Sequence, residues 1–525
     1  MTPPGPRHGH SRRSFLRLGA LVGAGAALGP ALSACAGPAG AAGPGTLSLA
    51  LNRSLVSLDN KLNQFDAAVT VQRAVRQALT RIDGDLGVAN VLADRFELTT
   101  PTQWTVRLRE GVRYSDGSPV AVADVATALE LYQQVQGSFL AAFFPEWPVL
   151  EQRDERTFTL ETERPFPVLD YLMANILITP SAANRAEELQ SGVGSGPYVV
   201  TASNRGTGDY TLRRNENYWG ARAPVDEVRV RFVPDESSRV VSIRSGEVDV
   251  IDTISPDSAD QLAGLPGVRV ESVEGTRTNQ LFYNFRKPAD HPLSNPLVRE
   301  ALTYAIDQRA LVEDVLVGSV RSATGVVSAT LRGATGKHAY AHDPRKARQM
   351  LDAAGVRDLE LTVIWESGEF ASDAFVMEAV TQMLGEVGVR TRLREFQPGG
   401  EISAWRQGKA GDWDVLGNGY GNPTGLALTS LQGMYGGTAA KEATRDTYQG
   451  YVFPHVEQLI SAASAEPDGA LRDGLLERAQ DAIWDTWPCL WAFVPNAVLA
   501  RRERVGGLAL APNNSYDLSA TKLEG

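Results

Sequence analysis

The stretch VRVRFVPDESSRVVSIRSGEVDVI (228–251) decides how the chain is read. Val228, Val230 and Phe232 alternate with Arg229 and Arg231, the period of a half-buried strand. Pro234 and Asp235 then open a short helix, and Gly246 closes it. Val248 to Ile251 is strand again. A strand, a helix and a strand in so few residues is the signature of an α/β architecture.

The same signals recur on both sides. In WTVRLREGVRYSDGSPV (104–120), Trp104, Val106 and Leu108 point one way and Thr105, Arg107 and Arg109 the other. Asp116-Gly117 is a turn pair, and the helix that follows collects Val125, Ala128, Leu129 and Tyr132 on one face. NPLVREALTYAIDQRALVEDVLVG (295–318) predicts a helix pair with Val298, Ala301, Leu302 and Ala305 inward. In HDPRKARQMLDAAG (342–355), Asp343 suits the N-cap, Pro344 the first helical position and Gly355 the stop. A longer helix is predicted near 371–387 and another near 471–485. WPCLWAFVPNAVLA (487–500) reads as a buried strand running back toward another domain, with Cys489 as an apolar filler.

The beginning of the chain is different. Arg7, Arg12, Arg13 and Arg17 precede an apolar run from Leu18 to Ala34, the layout of a secretory signal. Arg12-Arg13-Ser14-Phe15-Leu16 looks like a twin-arginine export signal. Leu32-Ser33-Ala34-Cys35 resembles a lipobox, in which the thiol of Cys35 is acylated and becomes the new N-terminus. The other reading is an ordinary signal with a chance cysteine. With 1–35 as the signal segment and its lipobox, 36–45 is a flexible Gly/Pro/Ala linker, and Cys489 is left without a disulfide partner. The formal charge of −11 becomes −15, which disfavours nucleic acid as a partner. No later apolar run is long enough to span a membrane. Roughly 490 mature residues predict two or three domains.

WTVRLREGVRYSDGSPVAVADV (104–125), GSGPYVV (194–200) with LRRNENYWG (212–220), SGEVDVI (245–251), NPLVREALTYAID (295–307) and HDPRKARQMLDAAG (342–355) follow one another in order. Together they resemble the extracellular solute-binding proteins of family 5, the peptide/nickel type that serves ABC importers. The resemblance covers about 47–520. It implies a two-lobed, periplasmic-binding-protein-like α/β fold of type II, with an extra subdomain and mixed sheets joined by hinge strands. On that analogy lobe one is 46–84, 192–275 and 492–525, its extra subdomain 85–191, and lobe two 276–491. A peptide or peptide-like solute would be enclosed between the lobes and passed unaltered to a permease, with ATP hydrolysed by a separate subunit. The implied protein is a monomer without a cofactor, held by its lipid at the outer face of the membrane. The alternative solute is nickel or another metal inside a small chelate.

The loop LGNGYGNPTG (416–425) is the first candidate for solute contact, through Tyr420, Asn418 and Asn422. In the family the matching loop often reads Trp-x-x-Asp-Tyr-x-x-Pro. Tyr420 and Pro423 fit that pattern, while the acid is replaced by Gly419. In peptide-binding members that acid pairs with the solute's ammonium, so the departure bears on which solute is taken. Asp412 or Asp414 could stand in for it. Asn284, in Tyr283-Asn284-Phe285, matches a hinge position and is expected to satisfy backbone first. Trp365 and Glu366 end a strand of lobe two, where clefts form in α/β folds, and Asn63, Gln64 and Phe65 border the same region. His338 and His342 lie four apart but in a lead-in loop, so a protein-only metal site is not expected. Ser519-Ala520-Thr521-Lys522 fits a Ser-x-x-Lys pattern by chance, without its companion motifs, and a secreted hydrolase is the alternative of a different class.

Overall fold

The computed structural model describes residues 45–53, 58, 61, 66–135, 140–181, 192–204, 206–370, 372–397, 400–406, 408–436 and 449–524. The signal segment, Cys35, Asn63, Gln64 and Phe65 lie outside them.

A mixed twelve-stranded sheet organises the chain. Its first half is built on Thr46–Leu51, buried along its whole length. Glu227–Phe232 and Val250–Asp252 lie on either side of that strand and run parallel to it. Parallel neighbours need a crossover, and the helix Glu236–Ser245 supplies it. Asp235 caps this helix by accepting from the Ser238 amide at 2.8 Å, and Gly246 closes it in the left-handed conformation, φ 79°. The second strand of the motif is thus Val250–Asp252, two residues later than its hydrophobic run predicts. Asp209–Arg214 and Tyr198–Asn204 continue the sheet antiparallel.

The second half holds Arg390–Phe396, Glu360–Glu366 and Val415–Tyr420 in parallel, then Thr278–Tyr283 antiparallel. The helix Pro344–Ala353 beside it begins as its sequence dictates. Asp343 accepts from the Lys346 amide, Pro344 is the first helical residue, and Ala347 and Leu351 are buried. A separate four-stranded antiparallel sheet, Ala93–Thr100, Gln103–Leu108, Val149–Gln152 and Thr157–Glu161, carries the helix Val122–Gln134. Val125, Ala128, Leu129 and Tyr132 are its buried face.

Two stretches of chain join the halves. Val268–Glu274 belongs to the first half and Thr278–Tyr283 to the second, with Gly275 between them. The other link is one unbroken strand, Cys489–Arg502. Its early residues pair with Thr278–Tyr283 and its later residues with Val250–Asp252 and Val268–Glu274. The two links touch where the Gly275 amide donates to the Pro495 carbonyl at 3.2 Å. A side chain on Gly275 would overlap that carbonyl oxygen, so the close approach requires glycine. Cys489 is buried, its Sγ 3.1 Å from the Tyr340 hydroxyl, and burial pushes the thiol up to about 12. It packs; it is not poised as a nucleophile.

Candidate functional site

One buried cluster runs from the four-stranded sheet, through Val106, Phe158 and Leu169, to Leu416, Leu428 and Leu431 of the second half. The seam between these regions therefore closes on apolar side chains, and the loop after Val415–Tyr420 lies in it. Leu86, with φ 58°, packs against Gly425, where an added Cβ would sit 2.9 Å away. Asn175 donates to the Pro423 carbonyl at 3.1 Å across the same seam, and its Oδ1 accepts from Arg73 at 3.1 Å.

Tyr420 ends its strand half-buried, edge-on to Phe143 with centroids 6.0 Å apart. Its hydroxyl occupies the space that a side chain at Gly433, on the helix Ala427–Tyr435, would need. The ring thus spans from one region to the other. Tyr420→Ala is expected to weaken solute binding by about tenfold while leaving the chain folded, since it removes an aromatic contact from the seam and the half-buried ring packs only on the margin of the core. Unchanged affinity in a titration would remove Tyr420 from the site.

Asn422 is committed to its own loop. Its Nδ2 donates to the Leu426 carbonyl at 2.7 Å and to the Ser430 hydroxyl at 2.8 Å. Its Oδ1 accepts from the Thr424 and Gly425 amides at 3.0 and 2.6 Å, and from the Thr424 hydroxyl at 3.2 Å. It shapes the turn that presents Pro423. Asn418 is buried and donates to the Gly419 carbonyl at 3.2 Å. Asn284 donates to the Trp413 carbonyl at 2.8 Å and accepts from the Arg286 amide at 3.0 Å, so it satisfies backbone just past the end of Thr278–Tyr283. Trp365 is buried beside Gly417, and its Nε1–H has no hydrogen-bond partner among the described residues. Glu366 lies half-buried, 3.9 Å from Arg406. Tyr420, Asn422 and Pro423 come together at the seam, while Trp365 packs in the core formed with the helix Asp373–Glu386.

The position of the missing acid holds a different arrangement. Gly419 leaves room for Asn279 and for the guanidinium of Arg277, both of which a side chain at 419 would overlap. Arg277 donates to Asn279 Oδ1 at 3.0 Å and pairs with Glu369, which also accepts from the Gly419 amide at 2.7 Å. Glu369 is largely buried and Arg277 more than a third exposed. The cation is therefore the outward half of the pair. Asp412 and Asp414 do not stand in for the acid: Lys287 Nζ lies 2.8 Å from both. His338 stacks on Trp484 and meets Asp481 at 2.9 Å, whereas His342 lies 3.4 Å from Asp307. The two histidines face different acids.

Sequence reasoning missed Arg277, Glu369, Arg73 and Asn175. Only Arg73 carried a local signal, as a base in the largely apolar helix Asp66–Val75.

Asp170 gives the seam a pH dependence. Burial raises its carboxyl to about 6, against the opposing pull of the Tyr171 amide and of Arg472 on the facing helix Gly469–Trp484. A carboxyl raised on folding contributes stability that is full below about 3.8 and lost as pH rises through about 6. Asp170→Asn is expected to add about 1 kcal/mol at pH 7.5 and to flatten the stability profile between those values. Urea melts across that range check it; an unchanged slope refutes the assignment.

Residues 87–442 match the family described as bacterial extracellular solute-binding proteins, family 5, middle region. The chain belongs to this family of solute-binding proteins. Among curated relatives, the glutathione-binding protein GsiB of Salmonella typhimurium is 26% identical over 514 residues, spanning 95% of this chain and 98% of the relative. Among solved structures, the ABC transporter-associated periplasmic binding protein DppA of Helicobacter pylori, in complex with the peptide STSA, superposes with a TM-score of 0.78. It is 20% identical, with 92% of this chain and 98% of that chain covered. NikA of Staphylococcus aureus, in complex with Ni(L-His)2, superposes with a TM-score of 0.74 at 16% identity, covering 91% and 99%. The solute-binding protein described here thus has the two-lobed fold of its family, a class that binds substrates for transport. Among the described residues no helix is long and apolar enough to cross a membrane.

Proposed function

We propose that this solute-binding protein captures a peptide or peptide-like molecule between its lobes and delivers it, chemically unaltered, to the permease of an ABC importer. The observation that carries the reading is the pair of strand links meeting at Gly275 and Pro495, with the seam of Tyr420, Pro423 and Asn175 beyond them. Two strand links permit a hinge motion, and a solute that touches both lobes only when they meet will favour the closed form. We take the links as the lobe boundary: 46–84, 192–275 and 492–525 in lobe one with 85–191 as its subdomain, and 276–491 in lobe two. The GsiB relative makes glutathione the first probe and DppA makes short peptides the second; a metal chelate is the alternative that NikA supports. Native mass spectrometry of the purified chain, looking for a co-purifying small molecule, is the deciding experiment. A peptide-like mass supports the reading; a nickel chelate replaces it with the alternative.

The lipid anchor belongs to the same proposal. Acyl chains on Cys35 would hold the receptor beside its permease. Cys35→Ser is expected to move the protein from the membrane fraction into the medium, and continued membrane association of that variant would count against acylation.

A further inference from the structure

Arg73 is a cation without an anion. It lies on the helix Asp66–Val75, partly buried, and its terminal nitrogen donates to the neutral amide oxygen of Asn175 at 3.1 Å. Among the described residues no carboxylate lies within ion-pair distance of it. Tyr132 and then Asp517 are near enough to influence it, but the first is a phenol and the acid is exposed and sits 3.8 Å from Arg81. Burial pulls the Arg73 guanidinium down to about 10, the cost of holding a charge that little around it offsets.

Its place in the fold says what the charge is for. The Asn175 side chain that accepts from Arg73 also donates to the Pro423 carbonyl. Arg73 therefore stands two hydrogen bonds from the loop of the facing lobe, on the seam where Tyr420 and Phe143 meet. A guanidinium offers a planar fork of donors that matches a carboxylate in two parallel bonds. We propose that Arg73 anchors a carboxylate of the captured solute, so that the receptor selects acidic or zwitterionic peptide-like molecules over carboxyl-blocked ones. The guanidinium of Arg277, the outward half of its pair with Glu369, stands where the family pattern has an acid and fits the same preference. The inference rests on the capture reading above and adds to it the charge of the solute.

The test uses the full purified chain, wild type and Arg73→Gln. The probes are glutathione and the tetrapeptide Ser-Thr-Ser-Ala, each as the free acid and with its carboxyls esterified or amidated. Wild type is expected to bind the acids at least about tenfold more tightly than the blocked forms, the size of one charge-assisted contact. Arg73→Gln is expected to lose that preference and keep the affinity for the blocked forms. Without any probe it is expected to melt no lower than wild type, because an unpaired charge has gone. A variant that keeps the preference for acids overturns the assignment, and so does one that loses both kinds of probe equally, since that is a structural role. If wild type binds neither kind, the peptide reading fails and sodium acetate decides the anion site. Greater thermal stabilisation of wild type than of Arg73→Gln by acetate supports it, and equal stabilisation overturns it.

Discussion

Gly275→Ala is expected to destabilise the protein by about 2–3 kcal/mol, the upper part of the range for forcing atoms into filled space. The added methyl group would overlap the Pro495 carbonyl oxygen, a backbone atom of the other link, which cannot swing aside as a side-chain tip can. The carbonyl of Gly275 is also held, by Ser328 Oγ at 2.8 Å and Thr330 Oγ1 at 2.9 Å, so the glycine itself cannot retreat. Relief requires the two links to separate. Because both lobes hang from these links, solute binding should fall together with stability. Gly264→Ala is the control: nothing lies within 4 Å of a side chain there, and its cost should stay within about 0.5 kcal/mol. Equal denaturation midpoints for the two variants would show that the links are not tightly packed.

The second large effect is expected of Asn422→Ala. Five hydrogen bonds end on this one side chain, and all its partners lie in the loop or the helix that follows. Alanine would leave the Thr424 and Gly425 amides without partners inside a buried turn, while the Leu426 carbonyl keeps the Thr429 amide at 3.2 Å. At about 1–3 kcal/mol for each stranded group, partly relieved by water, the loss should reach about 3 kcal/mol. The consequence for binding is indirect: Pro423 and Tyr420 lose their fixed positions, and affinity should drop more than about tenfold. Hydrogen exchange supplies the signature. The Thr424 and Gly425 amides should exchange faster in the variant, and unchanged exchange there would contradict the role given to Asn422.

These two residues show which parts of the molecule were legible in its sequence. Local chemistry was. Asp235 and Gly246, and Asp343 with Pro344, mark their helices by capping rules that depend on neighbours a few residues away. The alternation in 104–108 and 228–232 reads burial directly, because side chains in a strand change face at every step. The family pattern around Tyr420 and Pro423 located the loop that lies in the seam. What the sequence concealed was the use of each group. Gly419 reads as an acid lost; in the fold it is the space that Arg277 and Asn279 occupy, with Glu369 arriving from fifty residues away to accept its amide. Asn422 reads as a solute contact, yet its hydrogen bonds stay within the loop and the helix that follows. Arg73 and Asn175 stand 102 residues apart and meet only through the tertiary fold. No periodicity encodes such pairings.

The continuous strand Cys489–Arg502 has a consequence for how the molecule comes into being. It follows in the chain every strand that it pairs with, yet it lies in the interior of the sheet, flanked on one side by Thr278–Tyr283 and on the other by Val250–Asp252. Until it arrives, each half has an open edge where its central neighbour belongs. Both halves are therefore completed by the insertion of the same strand.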